Sequence, residues 1–229
     1  MRVGILTFHR AHNYGAVLQC YALQETLKRM GHSVQVIDYR QPWIEDFYSL
    51  FCWNMIRRNA TSVKSLFSYL KASLKKWILA PRKSSDFRKF RERFLDMSEP
   101  CGVDIPQDYD CYLIGSDQLW SLHCLGGEAD KVYMGEFERP EGSSVVGYAI
   151  SADMKSVHAS ASLLRKYVPE FDAISMREKQ IADAVEEITG CSCETCLDPT
   201  LLGDASIWDQ VKAEVPEGEY VLVYEVRWN

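Results

Sequence analysis

The chain is 229 residues long, 47% apolar and 25% charged, a balance that suits a globular protein with a sizeable core. It holds no apolar run long enough to cross a membrane, and Met1-Arg2-Val3-Gly4 lacks the zones of an export signal, so a cytoplasmic protein with its 8 cysteines reduced is expected. A net charge of −6 argues against nucleic acid as the main partner.

Val3-Gly4-Ile5-Leu6-Thr7-Phe8 reads as a buried strand, His9 to Asn13 as a polar loop, and the residues beyond as a helix. Ala16, Cys20, Leu23, Leu27 and Met30 recur at three- and four-residue spacing and mark the apolar face of that helix. Gln19, Gln24, Lys28 and Arg29 fall on its other faces, and Gly31 is placed to end it in a left-handed cap. Ser33 to Tyr39 follows as a second strand, which makes a compact crossover unit. Asp38 stands where a dinucleotide-binding fold carries its ribose-binding acid. The first loop, however, has a single glycine, Gly15, and no G-x-G-x-x-G. A nicotinamide or flavin site is therefore excluded, Asp38 reads as a turn residue, and no cofactor is expected.

Residues 42–95 break the rhythm. An aromatic start (Trp43, Phe47, Tyr48, Phe51, Trp53) leads into a helical stripe of Val63, Leu66, Phe67, Leu70, Leu74, Trp77 and Ile78. Pro81 ends that stripe, and Phe87, Phe90 and Phe94 mark another helix. From Arg57 to Arg93 there are twelve Lys or Arg against two acids, Asp86 and Glu92. A helical insertion packed over the sheet edge with solvated lysines is the preferred reading. Peripheral contact of the 57–93 region with an anionic membrane surface, at the inner face, is the alternative.

From Asp110 the α/β alternation resumes. Strands are expected at Tyr112-Leu113-Ile114, Val145 to Ile150, Ala173-Ile174-Ser175 and Thr195-Cys196-Leu197, with helices at 159–168 and from Arg177 onward. Pro216-Glu217-Gly218 reads as a linker and Tyr220 to Val226 as a seventh strand, which can pair with another chain's edge in a homo-oligomer. The expected organisation is an N-terminal Rossmann-like α/β domain over 1–215, with a mostly parallel sheet flanked by helices and the helical insertion at about 42–95. Residues 216–229 would be a linker and the first strand of a truncated second domain.

If the strands are parallel, their exit loops gather at one edge, where α/β proteins bind ligands. These loops carry Asn13-Tyr14-Gly15, Gly115-Ser116-Asp117-Gln118, Ser151, Arg177-Glu178 and Asp198. Gly15 and Gly115 would let backbone approach a ligand, and the first amides of helix one suit an anion. Each residue alone is more often a turn former than a site; the recurrence across loops is the signal. His9 and His12 flank Arg10 and suit acid/base work or anion contact, but they lack a third partner for zinc. Cys191-x-Cys193-x-x-Cys196 lacks a fourth ligand at matching spacing, so no metal is expected, and Cys196 is expected to face the core. Ser116 lacks the G-x-S-x-G elbow of a serine hydrolase.

The runs Asn13-Tyr14-Gly15-Ala16-Val17-Leu18-Gln19-Cys20-Tyr21-Ala22-Leu23-Gln24, Gly115-Ser116-Asp117-Gln118-x-Trp120, Tyr148-Ala149-x-Ser151, Ile174-Ser175-Met176-Arg177-Glu178 and Leu197-Asp198-Pro199-Thr200-Leu201-Leu202 are, in order and spacing, similar to the polysaccharide pyruvyl transferase family. The resemblance covers residue 3 to about 226. It implies one half of a glycosyltransferase-B-like architecture of two Rossmann-like halves facing a cleft. It also implies transfer of a pyruvyl group from phosphoenolpyruvate to a glycan hydroxyl, giving a pyruvate ketal in bacterial surface polysaccharide synthesis, with a lipid-linked glycan among the candidate acceptors. Much of the family's donor site lies in the second half, so activity of this chain alone is left open. Carried onto this sequence, the resemblance points to Arg177 for the donor and Asp117 for the acceptor hydroxyl. Asn13, Tyr14, Gly15, Gly115, Ser116, Gln118 and Ser151 are the candidate substrate-binding residues. The competing readings are a non-catalytic glycan- or partner-binding module and half of a sugar-nucleotide glycosyltransferase.

Overall fold

A computed structural model of the protein describes residues 1–49, 81–214, 217–221 and 223. The stripe from Val63 to Ile78, the basic residues from Arg57 to Lys76, and most of the seventh strand with Pro216 lie outside the described residues. Tyr220, Val221 and Val223 are described and exposed.

Among the described residues six strands form one sheet in the order β2-β1-β3-β4-β5-β6. They are β1 (Arg2–Leu6), β2 (Ser33–Val36), β3 (Cys111–Asp117), β4 (Ser144–Ile150), β5 (Ala173–Met176) and β6 (Glu194–Thr195), and every pairing is parallel. The helices are α1 (Tyr14–Arg29), α2 (Pro42–Tyr48), α3 (Pro81–Phe94), α4 (Met154–Ala159), α5 (Ala161–Tyr167) and α6 (Lys179–Thr189). The α/β Rossmann-like architecture read from the sequence is the one observed.

The strands are apolar on both faces because both faces are covered, as a parallel sheet requires. Successive side chains alternate. Val3, Ile5, Cys111 and Leu113 join one core with Leu23 and Val34, while Leu6, Tyr112 and Ile114 join the larger core with Ile37, Trp120 and Tyr133. Gly4 is forced by this packing: a Cβ there would come within 2.7 Å of Ile37 Cδ1 and 2.9 Å of the Tyr109 ring.

Helix α1 is more buried than its stripe predicts. Gln19 and Gln24, expected off the apolar face, are fully buried, and Met30, expected on the apolar face, is 66% exposed. The reason is tertiary. Phe90, Phe94 and Trp208 pack against a third core around Cys20, Tyr21, Val36 and Leu95, which covers a second side of α1. Gln24 is satisfied there by donating to the Phe94 carbonyl (3.0 Å) and accepting from the Asp96 amide (2.7 Å). The helix ends as expected: Gly31 takes φ of 88°, its amide donates to the Lys28 carbonyl, and the His32 amide to that of Leu27. These bonds satisfy two carbonyls the last turn leaves open.

Element bounds differ from the sequence expectation in informative places. The expected third strand runs on through Gly115, Ser116 and Asp117, so these residues are strand and not exit loop. The helix expected at 159–168 is two short helices, α4 and α5, meeting at Ser160. The helix expected from Arg177 starts at Lys179. Strand β6 is two exposed residues; Cys196, expected to face the core, is partly exposed, and Cys193 is the buried one.

Candidate functional site at the strand exits

The strand order changes direction beside β1: the chain goes from β1 outward to β2, then returns to build β3 to β6 on the other side. The crevice at the C-terminal ends of β1 and β3 is thus the switch point where such sheets bind ligands. Thr7 Oγ1 crosses it, donating to the Ser116 carbonyl at 2.6 Å, and Gln19 Nε2 donates to Thr7 Oγ1 at 2.9 Å.

The end of β3 has uncommon backbone geometry. The Gly115–Ser116 peptide is cis, and Gly115 and Asp117 have φ of 135° and 101°. Gly115 is glycine for a packing reason, since a Cβ would lie 2.0 Å from the Tyr148 carbonyl oxygen. Asp117 has no such excuse: a residue with a Cβ at that φ is strained by about 1–3 kcal/mol, and such strain concentrates at functional sites. Its carboxylate Oδ1 accepts from the Gln118 amide at 2.8 Å, while the Asp117 carbonyl accepts from the Ser151 amide at 2.9 Å. Burial pushes the Asp117 carboxyl above the ordinary carboxylate range and nearby Asp198 adds to this; the Gln118 amide and the Arg177 charge work against it.

Around Asp117 three strand exits are tied together. Ser116 Oγ donates to the Ala149 carbonyl at 2.8 Å, and Arg177 Nη2 donates to Ser116 Oγ at 2.7 Å. The same Arg177 nitrogen lies 3.2 Å from Asp198 Oδ2. Ser151 Oγ donates to Glu178 Oε1 at 2.9 Å. The structure therefore brings together Ser116, Asp117, Gln118, Ser151 and Arg177, and adds Glu178 and Asp198 as their partners. Ser116 and Ser151 are buried and work as braces; Gln118 is exposed, with its Oε1 3.1 Å from Cys124 Sγ.

Asn13, Tyr14 and Gly15 open α1 at the neighbouring exit. Asn13 is the helix cap, its Oδ1 accepting from the Ala16 amide at 3.2 Å. All three are exposed. Gly15 is not held by a positive φ, and a Cβ there would meet Asn13 Oδ1 at 3.2 Å. Its freedom is thus not demanded by the fold.

Unpaired polar atoms mark the open part of this network. Among the described residues the buried side-chain atoms with no hydrogen-bond partner are Gln19 Oε1, Arg177 Nε, Glu178 Oε2, Thr26 Oγ1, His32 Nδ1 and Arg91 Nη1. The first three belong to residues of the strand-exit network. A buried polar group left unpaired costs roughly 1–3 kcal/mol, which a ligand recovers on binding. Glu178 reads from the sequence as a polar strand-exit residue without a role, and Gln19 only as a residue off the apolar face of α1. Glu178 follows Arg177 directly, and Gln19 sits one helical turn beyond Gly15, so adjacency was their only signal.

His9 and Asp38 have a different place from the one expected. His9 is buried, with Nε2 2.9 Å from Asp38 Oδ1 and Nδ1 3.0 Å from the Thr7 carbonyl. Arg40 holds Asp38 Oδ2 through Nε and Nη2 at 3.1 and 2.9 Å, and Arg10 bridges Asp38 to Glu45. Asp38 is thus the hub of an ion network and not a turn residue. Among the described residues no three His, Cys, Asp or Glu side chains converge as metal ligands would, and no helix is long and apolar enough to cross a membrane.

Comparison with known proteins gives no match among curated proteins or solved structures. It gives one at the level of the family: the model of the polysaccharide pyruvyl transferases matches residues 13–228, from the Asn13 cap through the exits of β3, β4 and β5. With nearly the whole chain matched, this protein belongs to the polysaccharide pyruvyl transferase family, transferases of polysaccharide synthesis.

Proposed function

We propose that the strand exits of β3, β4 and β5 form one wall of a site that transfers the pyruvyl group of phosphoenolpyruvate to a glycan, giving a pyruvate ketal. The observation that carries this reading is that Arg177 donates to Ser116 Oγ, next to Asp117 in the chain: a carboxyl raised by burial and a nearby guanidinium whose Nε has no partner. The donor is an anion twice over, with a carboxylate and a phosphate. A guanidinium matches either group through paired hydrogen bonds.

The chemistry asks for few groups. Protonation of the alkene carbon turns the phosphate-bearing carbon into an oxocarbenium-like centre. One sugar hydroxyl adds there, phosphate leaves, and a second hydroxyl of the same sugar closes the ketal. One hydroxyl proton balances the new methyl group and the other leaves with phosphate. Arg177 would hold the donor and offset the negative charge gathering on the leaving phosphate. Asp117 would accept from the attacking hydroxyl, in hydrogen-bond reach of its proton. Asn13, whose Oδ1 is used in capping α1, keeps its amide N–H groups for sugar or phosphate oxygens.

The test is phosphate release from phosphoenolpyruvate in the presence of a panel of oligosaccharides, with ketal-bound pyruvate measured on the recovered glycan. Phosphate and ketal in equal amounts support the reading. Turnover unchanged in Arg177→Ala removes the arginine from it. Glycan binding with no phosphate from any acceptor favours a non-catalytic binding module.

A further inference from the structure

Glu178 occupies the cap position of α6, yet its side chain makes no capping bond. Its carbonyl alone opens the helix, accepting from the Ile181 and Ala182 amides at 3.0 and 3.1 Å. The side chain crosses instead to the exit of β4, where Oε1 accepts from Ser151 Oγ at 2.9 Å. That leaves Oε2 buried and without a partner. Ser151 also holds Asp117, because its amide donates to the Asp117 carbonyl at 2.9 Å. One serine at the β4 exit thus ties together two carboxyl-bearing residues, one from β3 and one from the start of α6, and β3 and β5 flank β4 in the sheet.

The unpaired atoms on adjacent residues differ in kind. Arg177 Nε is a donor and Glu178 Oε2 an acceptor; both are buried, and they do not bond each other. Arg177 reaches elsewhere, to Ser116 Oγ and Asp198 Oδ2. The two atoms therefore call for different ligand groups. Nε asks for an acceptor, the part given above to the anionic donor substrate. A carboxylate accepts and never donates, so Oε2 asks for a hydroxyl or an ammonium. A second cation beside the Arg177 guanidinium would be repelled, which favours the hydroxyl. The fold itself does not need this oxygen. Ser151 uses only Oε1, which a neutral glutamine would supply as well, and a charged oxygen buried with nothing bonded to it destabilises the fold.

We propose that Glu178 Oε2 receives the second hydroxyl of the acceptor sugar, the one that closes the ketal. This rests on the transferase reading above, which consumes two hydroxyls of one sugar and places a proton acceptor, Asp117, at only one of them. Once the first hydroxyl has added and phosphate has left, the central carbon is again electron-poor. The second hydroxyl oxygen bonds to that carbon, its O–H pair stays on oxygen, and its proton passes to Glu178 Oε2 and on to the departing phosphate. Two carbon–oxygen bonds to the sugar have then formed and one to phosphate has broken. The first hydroxyl proton balances the new methyl group, and no oxidant or reductant is needed. With no acceptor at Oε2, water takes the place of the second hydroxyl and the adduct falls apart to free pyruvate.

Glu178→Gln tests this, since it keeps an oxygen for Ser151 Oγ; circular dichroism checks its fold. With phosphoenolpyruvate and the oligosaccharide panel, the variant is expected to lose both products unequally. Ketal should fall at least about tenfold further than phosphate, with free pyruvate making up the difference. Ketal and phosphate that fall together, or that stay equal, overturn the assignment. Binding gives a readout independent of turnover. Methyl galactoside, methyl glucoside and methyl mannoside are titrated against both chains, together with analogues that each lack one hydroxyl. For at least one glycoside, loss of one hydroxyl should weaken binding to the unaltered chain by about tenfold, the size of a hydrogen bond to a charged group, and to Glu178→Gln by less than about threefold. Equal losses in both chains for every hydroxyl, or no binding of any glycoside, overturn the proposal. The expected hydroxyl dependence with no phosphate from any acceptor keeps the Glu178 contact and rejects the reaction. Phosphate and ketal from the unaltered chain with no dependence on Glu178 do the opposite.

Discussion

Two clusters of charged side chains sit at the same edge of the sheet and differ in what they leave unbonded. At the exits of β1 and β2, His9, Arg10 and Arg40 together engage all four carboxylate oxygens of Asp38 and Glu45. At the exits of β3 to β5, Ser116, Ser151, Arg177, Glu178 and Asp198 are also linked, but Arg177 Nε and Glu178 Oε2 are buried without partners. Asp38 lies well below the ordinary carboxylate range: burial would raise it, but hydrogen bonds from His9 and Arg40 and the charge of Arg10 outweigh that. Asp117 is raised, because burial there is only partly offset. A closed network stabilises the fold, whereas an open one keeps hydrogen-bonding capacity for something else. Charge density alone does not separate the two, and neither does the presence of an unpaired cation nitrogen, since Arg91 Nη1 beside the first cluster is also buried without a partner; what separates them is that the carboxylate oxygens of Asp38 and Glu45 are all engaged while Glu178 Oε2 is not.

The sharpest way to break this contrast is to remove each hub. Asp38→Ala leaves buried His9 and the part-exposed Arg10 and Arg40 without their shared partner and should cost about 1–3 kcal/mol in urea unfolding. Arg177→Ala should cost far less stability yet lower phosphate release by about a hundredfold or more, as expected when a donor to developing charge is lost. Equal stability losses in the two variants would erase the distinction.

The pH dependence of stability separates the clusters next. The Asp38 carboxyl is depressed in the folded state, so its contribution is fully present above the unfolded value of about 4 and is lost as pH falls further. Asp117 has the opposite sign. Its folded pKa is raised, so ionising it costs stability once pH exceeds the unfolded value. Asp117→Asn should therefore raise stability at neutral pH, and asparagine also tolerates the positive φ at this position. The same variant should remove the acid limb of the rate profile, which in the unaltered chain should begin above the ordinary carboxylate pKa. An unchanged acid limb would clear Asp117 of any part in the reaction.

The smallest effect is expected at Gly15. Its backbone has no need of glycine and it lies in the first turn of α1, but an added Cβ would press at 3.2 Å on the capping Asn13 Oδ1, so the helix gain of Gly15→Ala and the crowding of the cap oppose each other and stability should change by no more than about 1 kcal/mol. If phosphoenolpyruvate or glycan binding nevertheless falls, the backbone at Gly15 approaches a ligand closely. If binding holds, Gly15 leaves the site and the Asn13 cap remains.

The strand–helix alternation, the parallel sheet and the polar strand exits were legible because they follow from local pattern. Short apolar runs covered on both faces and amphipathic stretches repeat at fixed periods, and side-chain alternation does not depend on distant residues. Asp117, Arg177 and Ser116 were legible as a group because parallel strands place all exits at one edge. Tertiary structure alone decided what each of these residues bonds to. Gln24 is buried because α3 and the segment around Trp208 cover a second side of α1, and Gln19 because it turns onto Thr7 at the end of β1, which no periodicity within α1 reveals. His9, Arg10, Arg40 and Glu45 became one network around Asp38, and the rings of Tyr14, Phe87, His12 and Tyr48 came into contact, because strand order and helix docking brought together residues up to 75 positions apart. Sequence period fixes which face a residue takes on its own element; whether a polar atom on that face ends up paired is set by neighbours from other elements.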